Sequence, residues 1–346
     1  MYLIYLLLLY FSYNSLKNNN KLSRKNIIVT CVVLIYIGTY AYFTDDYEPY
    51  VEIVDNAYNN RFASLHIEPL WVSIINFFKG DLELFRASIC ILIILLLMVC
   101  GALIKVNFNV LIPLYILLCY GTHIVWLRQP IVYFIFILGV IFYCKKKPVL
   151  FILCLLPFSL IHKSSILFYI ILPFIFFPLK NNKYIILSVV LIPLFVIGFN
   201  IIFKLLQSYS SFNLEHYLEK DGVYADRHII YTIISKLRMV IHCYVYIMIV
   251  LLYRLNENQY IKMFVRIIFG LLYFTVLFTF LPTMNNTILT RLVALGSLII
   301  VFIISIDGIN WQNRRILFWS FINVLLSVFV TFLNNHTHLE KLLRLS

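Results

Sequence analysis

The sequence predicts an all-α polytopic membrane protein with about twelve transmembrane helices and two larger extracytoplasmic segments. Three observations carry that fold class. Of the 346 residues, 62% are drawn from the apolar and aromatic set, and the mean hydropathy is +0.93. Charged residues make up 12%, about half the share of a soluble domain. That leaves too little polar surface to cover a core of this size. Finally, the apolar residues gather in runs of span length between charged or Asn-rich breaks. A soluble enzyme, a disordered chain and a disulfide-rich secreted module are all excluded.

A hydrocarbon layer of about 30 Å takes about 20 apolar residues in a helix. In chain order the candidate spans are 1–14, 27–43, 87–104, 110–127, 130–143, 149–162, 165–179, 184–203, 239–253, 263–282, 291–306 and 316–333. The first run lacks a basic leader and a small-residue cleavage site, so it reads as a helix and not as a signal peptide. Residues 1–346 form a single membrane domain, with larger extracytoplasmic segments at 44–86 and 204–238. The seven cysteines show no CxxC pair and no zinc-type spacing. They read as small core hydrophobes, and no metal is expected.

Net charge is +13. In a soluble protein such an excess suggests nucleic acid; here no nucleic-acid partner is expected, because basic loops set membrane orientation. One alternate set of loops comprises 15–26, 105–109, 144–148, 180–183, 254–262 with Arg266, and 307–315. It carries fifteen Lys and Arg against two acids, Glu257 and Asp307. The other set holds the remaining thirteen bases and thirteen acids. The positive-inside rule makes the first set cytoplasmic and puts both termini outside. No Walker-type glycine loop and no large cytoplasmic segment is present. Any chemistry therefore draws on an energised substrate or a gradient, and no cofactor is expected. No internal repeat is evident, which counts against an inverted-repeat transporter.

Polar residues cluster on the extracytoplasmic side. The first segment contains Asp45, Asp46, Tyr47, Glu48, Glu52 and Asp55, then Glu68-Pro69 ahead of an apolar stretch to Phe78. Pro69 suits a first helical turn, with Glu68 near its positive end, and this helix is expected in the membrane interface. Glu48, Glu52 and Asp55 read as a solvated loop, whereas Asp45 and Asp46 abut a span end, where a carboxylate can face a cavity. Arg128 joins two apolar runs with almost no loop, ahead of a helix of about 14 residues, near 21 Å long. It reads either as the floor of a recessed site or as a snorkelling interface arginine. His162 ends a short run at the same level, as a recessed polar group or as a cap on a tight turn. The second segment offers Glu215, His216, Tyr217, Asp226 and Arg227, suited to sugars or equally to a solvated loop. Arg291 opens the eleventh run. Guanidinium groups suit phosphate, and carboxylates or histidine suit proton transfer.

These residues resemble a known family. Asp45-Asp46-Tyr47 with Tyr50, Glu68-Pro69-Leu70, Arg128-Gln129, Leu160-Ile161-His162-Lys163-Ser164-Ser165 and Thr290-Arg291 are similar to motifs of EpsG-like proteins, which belong with Wzy-type polysaccharide polymerases of bacterial surface-glycan clusters. The resemblance runs through most of the chain, except the second extracytoplasmic segment. It implies a glycosyltransferase of the bacterial cytoplasmic (inner) membrane, multi-pass, with its site facing outward. A growing glycan on undecaprenyl diphosphate would pass to a lipid-linked repeat unit. The implied partners are that lipid-linked oligosaccharide, the bilayer and a chain-length regulator protein. Catalytic candidates are Asp45, Asp46 and His162; substrate-binding candidates are Arg128, Arg291, Tyr47, Glu68 and Arg227.

Three other classes remain open from sequence. A flippase or other transporter needs polar residues through both leaflets, whereas here they gather on one side. An O-antigen ligase has a larger late loop than 204–238, and a membrane O-acyltransferase draws its donor from the cytoplasm. A non-catalytic membrane subunit is the last alternative.

Overall fold

The computed structural model describes residues 2–17, 23–40, 47–59, 69–156, 166–183, 229–279 and 286–326, and these are all-helical, without strands. Contacts divide the chain into two units: Met1–Leu172 with Ser297–Asn310, and Pro173–Gly296 with Trp311–Ser346.

In the first unit, α1 (Tyr2–Lys17) and α2 (Arg24–Thr39) are short apolar helices. The Ser23 hydroxyl accepts a hydrogen bond from Asn26 N at 3.2 Å and so starts α2. Next come α3 (Tyr47–Tyr58) and α4 (Pro69–Phe77), followed by the long α5 (Leu82–Ile104). Asp81 caps α5 through Leu84 N at 2.9 Å, and Lys105 ends it in the left-handed region. At about 1.5 Å per residue α5 extends about 35 Å, enough to cross a bilayer. It turns Phe85, Arg86, Ile89, Cys90, Ile93 and Leu97 inward and leaves Leu84, Leu92, Leu95 and Val99 exposed, the pattern of a span touching protein on one face and lipid on the other.

The next span is interrupted. α6 (Phe108–Tyr115) contains Pro113, which lacks the N–H that an unbroken helix would use. A π-helical turn, Ile116–Tyr120, follows before α7 (Gly121–Val125), as expected where the ladder must be rejoined. α8 (Arg128–Cys144) then runs through the middle of this unit, buried at nearly every position from Gln129 to Ile141. It packs on α5 and on α9 (Pro148–Leu155), whose own residues stay partly or fully exposed. α10 (Ile166–Ile171) continues as a 3-10 turn, Leu172–Phe176.

In the second unit, α11 (Ile229–Tyr253) packs against α12 (Gln259–Thr279). Phe174 lies among Phe269, Tyr273 and Phe274, with ring centroids 5.7–6.1 Å apart. α13 (Asn286–Asp307) begins in this unit and ends in the first, and a helix over 311–326, α14, returns to the second. Polar cross-links tie these apolar helices together. Arg238 Nε donates to Asn323 Oδ1 at 3.2 Å, Tyr253 donates to Asn313, and Arg266 Nη1 donates to the Ile175 carbonyl at 2.7 Å. In an apolar setting such polar groups persist when paired.

Five described helical stretches are long and apolar enough to cross a membrane: Leu82–Ile104, Phe108–Val125, Lys236–Tyr253, Gln259–Val276 and Thr290–Asp307. Three shorter apolar helices are Ile4–Leu16, Lys25–Thr39 and Arg128–Cys144. The expected dozen is not reached among the described residues. α9 has eight residues and α10 six, and the run 184–203 lies outside the described residues. Two further expectations change. Glu52 and Asp55 are solvent-exposed as expected, but they and Glu48 belong to a helix, α3, and not to a loop. The span expected to begin at 87 begins at Leu82, which moves Arg86 from the loop into the helix.

Candidate functional site

α3 follows from sequence spacing. Tyr50, Val54 and Ala57 recur at four and three residues and are all buried, while Glu52, Asp55 and Tyr58 face out. α3 packs against α4 and α5, and this sets Tyr50 against the N-terminal turns of α5 and α8. The guanidinium carbon of Arg128 lies 5.9 Å from the centre of the Tyr50 ring, and that of Arg86 lies 6.0 Å from it. Tyr50 itself is 5% exposed. Two cations on one desolvated ring is an arrangement in which each contact contributes about 0.5–2 kcal/mol.

Arg128 is the first residue of α8, with Pro130 two positions on where no N–H is needed. It is partly exposed. A cation at a helix N-terminus opposes the helix dipole, so this placement costs about 0.3–1 kcal/mol of helix stability. The same dipole and the guanidinium together attract an anion. α8 has seventeen residues, about 25 Å, still short of the hydrocarbon thickness. Arg128 therefore stands at the head of a short, largely buried helix. Below it, His123 is 1% exposed and its Nδ1 lies 2.9 Å from the Tyr115 hydroxyl, a packed core histidine.

Arg86 was missed by sequence reasoning, and it is completely buried. Its Nε lies 3.2 Å from the Gly38 carbonyl and 3.1 Å from that of Thr39, and Nη2 donates to Gly38 at 3.0 Å. These carbonyls end α2, where a helix favours a positive charge. Close approach is possible because residue 38 is glycine: a Cβ there would collide with Cys90 Sγ and lie 3.3 Å from the Tyr120 hydroxyl. The signal was present in the sequence. Arg86 lies three, four and seven residues before Ile89, Cys90 and Ile93, on the buried stripe of the span. Beside it, the Glu83 carboxylate accepts a hydrogen bond from the Tyr40 hydroxyl at the end of α2.

Of the other expected residues, Arg291 is the sixth residue of α13 and partly buried, within the second unit. Two residues on, the Val293 carbonyl accepts the Tyr246 hydroxyl at 3.4 Å. Tyr47 opens α3 and is described in its backbone alone. Asp45, Asp46, Glu68, His162 and Arg227 lie outside the described residues. The structure thus brings Arg128 together with Tyr50 and Arg86.

Long apolar helices, with arginines set at helix ends against an aromatic ring, define a multi-pass membrane protein. The model of the EpsG family matches residues 26–343, and the chain belongs to that family, whose members are Wzy-like polysaccharide polymerases. No curated protein and no solved structure matches the chain.

Proposed function

We propose that this protein polymerises a bacterial surface polysaccharide on a lipid carrier. It transfers a growing glycan from undecaprenyl diphosphate to a lipid-linked repeat unit at the outer face of the cytoplasmic membrane. The observation that carries this reading is Arg128: a partly exposed guanidinium at the head of a short buried helix, in a chain of a polymerase family.

The acceptor sugar hydroxyl attacks the anomeric carbon of the donor glycan. The bond from that carbon to the diphosphate oxygen breaks, and its electron pair leaves with the diphosphate. Negative charge grows on the departing oxygen, where a guanidinium stabilises it most. Arg128 takes this role, and Arg291 is the second candidate. The hydroxyl proton passes to a base, for which Asp45, Asp46 and His162 are the candidates; Tyr47, Glu68 and Arg227 are assigned to substrate contact. The sugar is already activated, so the reaction consumes no nucleotide.

Deleting the gene and resolving surface glycan on a gel tests this class. A polymerase loss leaves a single repeat unit on the surface. A surface without any repeat unit would make the protein a flippase, and polymer retained on the lipid carrier would make it a ligase.

A further inference from the structure

Among the described residues, the reaction above leaves the buried Arg86 unused. Arg86 lies on the second turn of α5, sealed from solvent, so it does not touch a substrate. Its contacts run in two directions. Through Nε and Nη2 it grips the Gly38 and Thr39 carbonyls that end α2. On the other side it lies against Tyr50, the ring that Arg128 also meets.

We propose that Arg86 is a positioning residue for Arg128, holding the Tyr50 ring of α3 against the end of α2 so that the ring orients the Arg128 guanidinium toward an anionic diphosphate. The proposal rests on the reading of Arg128 given above. α3 has twelve residues, too few for an isolated helix to be stable, so the place of Tyr50 depends on what grips it. Arg86 suits this because its fork is planar and permanently charged. A helix end and an aromatic ring are both electron-rich partners for it. The rival account is a plain staple, in which Arg86 merely joins α2 to α5 and Tyr50 has no part.

The two accounts differ in how substitutions combine. The experiment uses the full-length protein, in a deletion strain and in detergent, with Arg86→Gln, Tyr50→Leu, their double variant, Tyr50→Phe and Arg128→Ala. Three quantities are read: surface polymer, folded protein in the membrane, and affinity for inorganic pyrophosphate. Arg86→Gln and Tyr50→Leu should each lower polymer and pyrophosphate affinity about tenfold when normalised to the amount of folded protein. The double variant should be no worse than either single variant, within about twofold. Tyr50→Phe keeps the ring and should match the wild type.

Multiplying losses in the double variant would overturn the proposal. So would losses that follow the amount of folded protein, Tyr50→Leu at the wild-type level, or Tyr50→Phe falling with Tyr50→Leu. Should Arg86→Gln not fold, the two Tyr50 variants alone decide. Arg128→Ala separates the failures. If it polymerises normally, the functional reading itself fails; if it is inactive while the other losses multiply, the positioning role alone fails.

Discussion

The N-terminal turns of α5 and α8 each carry an arginine against the same tyrosine, and their surroundings are opposite. Arg86 is buried and bonded to the carbonyls that end α2, where the local dipole welcomes it. Arg128 is partly exposed and occupies the first position of a helix, where the dipole resists it. One charge completes the fold; the other sits at a cost to its own helix. On the reading proposed above, the first arginine supports the fold and the second meets the diphosphate. The second unit shows a third use of charge, with Arg238 and Arg266 bonded to an asparagine side chain and a carbonyl on neighbouring segments.

This contrast is sharpened most by Arg86→Met, which removes the charge and all three contacts at the end of α2. The stranded carbonyls cost about 1–3 kcal/mol each, so folded protein in the membrane should fall several-fold, measured by thermal melting and immunoblot. Equal melting of this variant and the wild type would break the distinction. Gly38→Val comes next. Its side chain meets Cys90 and Tyr120 and should destabilise α2 against α5 by about 1–3 kcal/mol. The smallest effect is expected from Asp81→Ala, which removes the cap on α5 for about 1 kcal/mol and leaves polymer formation intact in a gel assay.

The sequence carried the helical membrane class because hydropathy is a property of long windows, insensitive to single residues. Arg128 was legible for the same reason, as a charge with almost no loop around it. Shorter signals were lost. α3 carries its buried stripe on Tyr50, Val54 and Ala57, too few to stand out among four carboxylates from Asp46 to Asp55. Apolar windows are cut at charges and so leave Arg86 in a loop, whereas the Asp81 cap marks the true start of the helix. The dozen spans are not all reached among the described residues, where Pro148 opens α9 and Pro173 falls as α10 tightens into a 3-10 turn. The meeting of Tyr50 with two arginines depends on tertiary packing, and no spacing in the sequence encodes it.

The central claim is that Arg128 binds and stabilises the departing diphosphate while contributing nothing needed for folding. Arg128→Ala and Arg128→Lys, expressed in the deletion strain, test it by surface-glycan gel alongside membrane protein level. The account predicts wild-type protein levels with polymer reduced about 100-fold or more in both variants, leaving a single repeat unit on the surface. A normal ladder of chain lengths from either variant would contradict it.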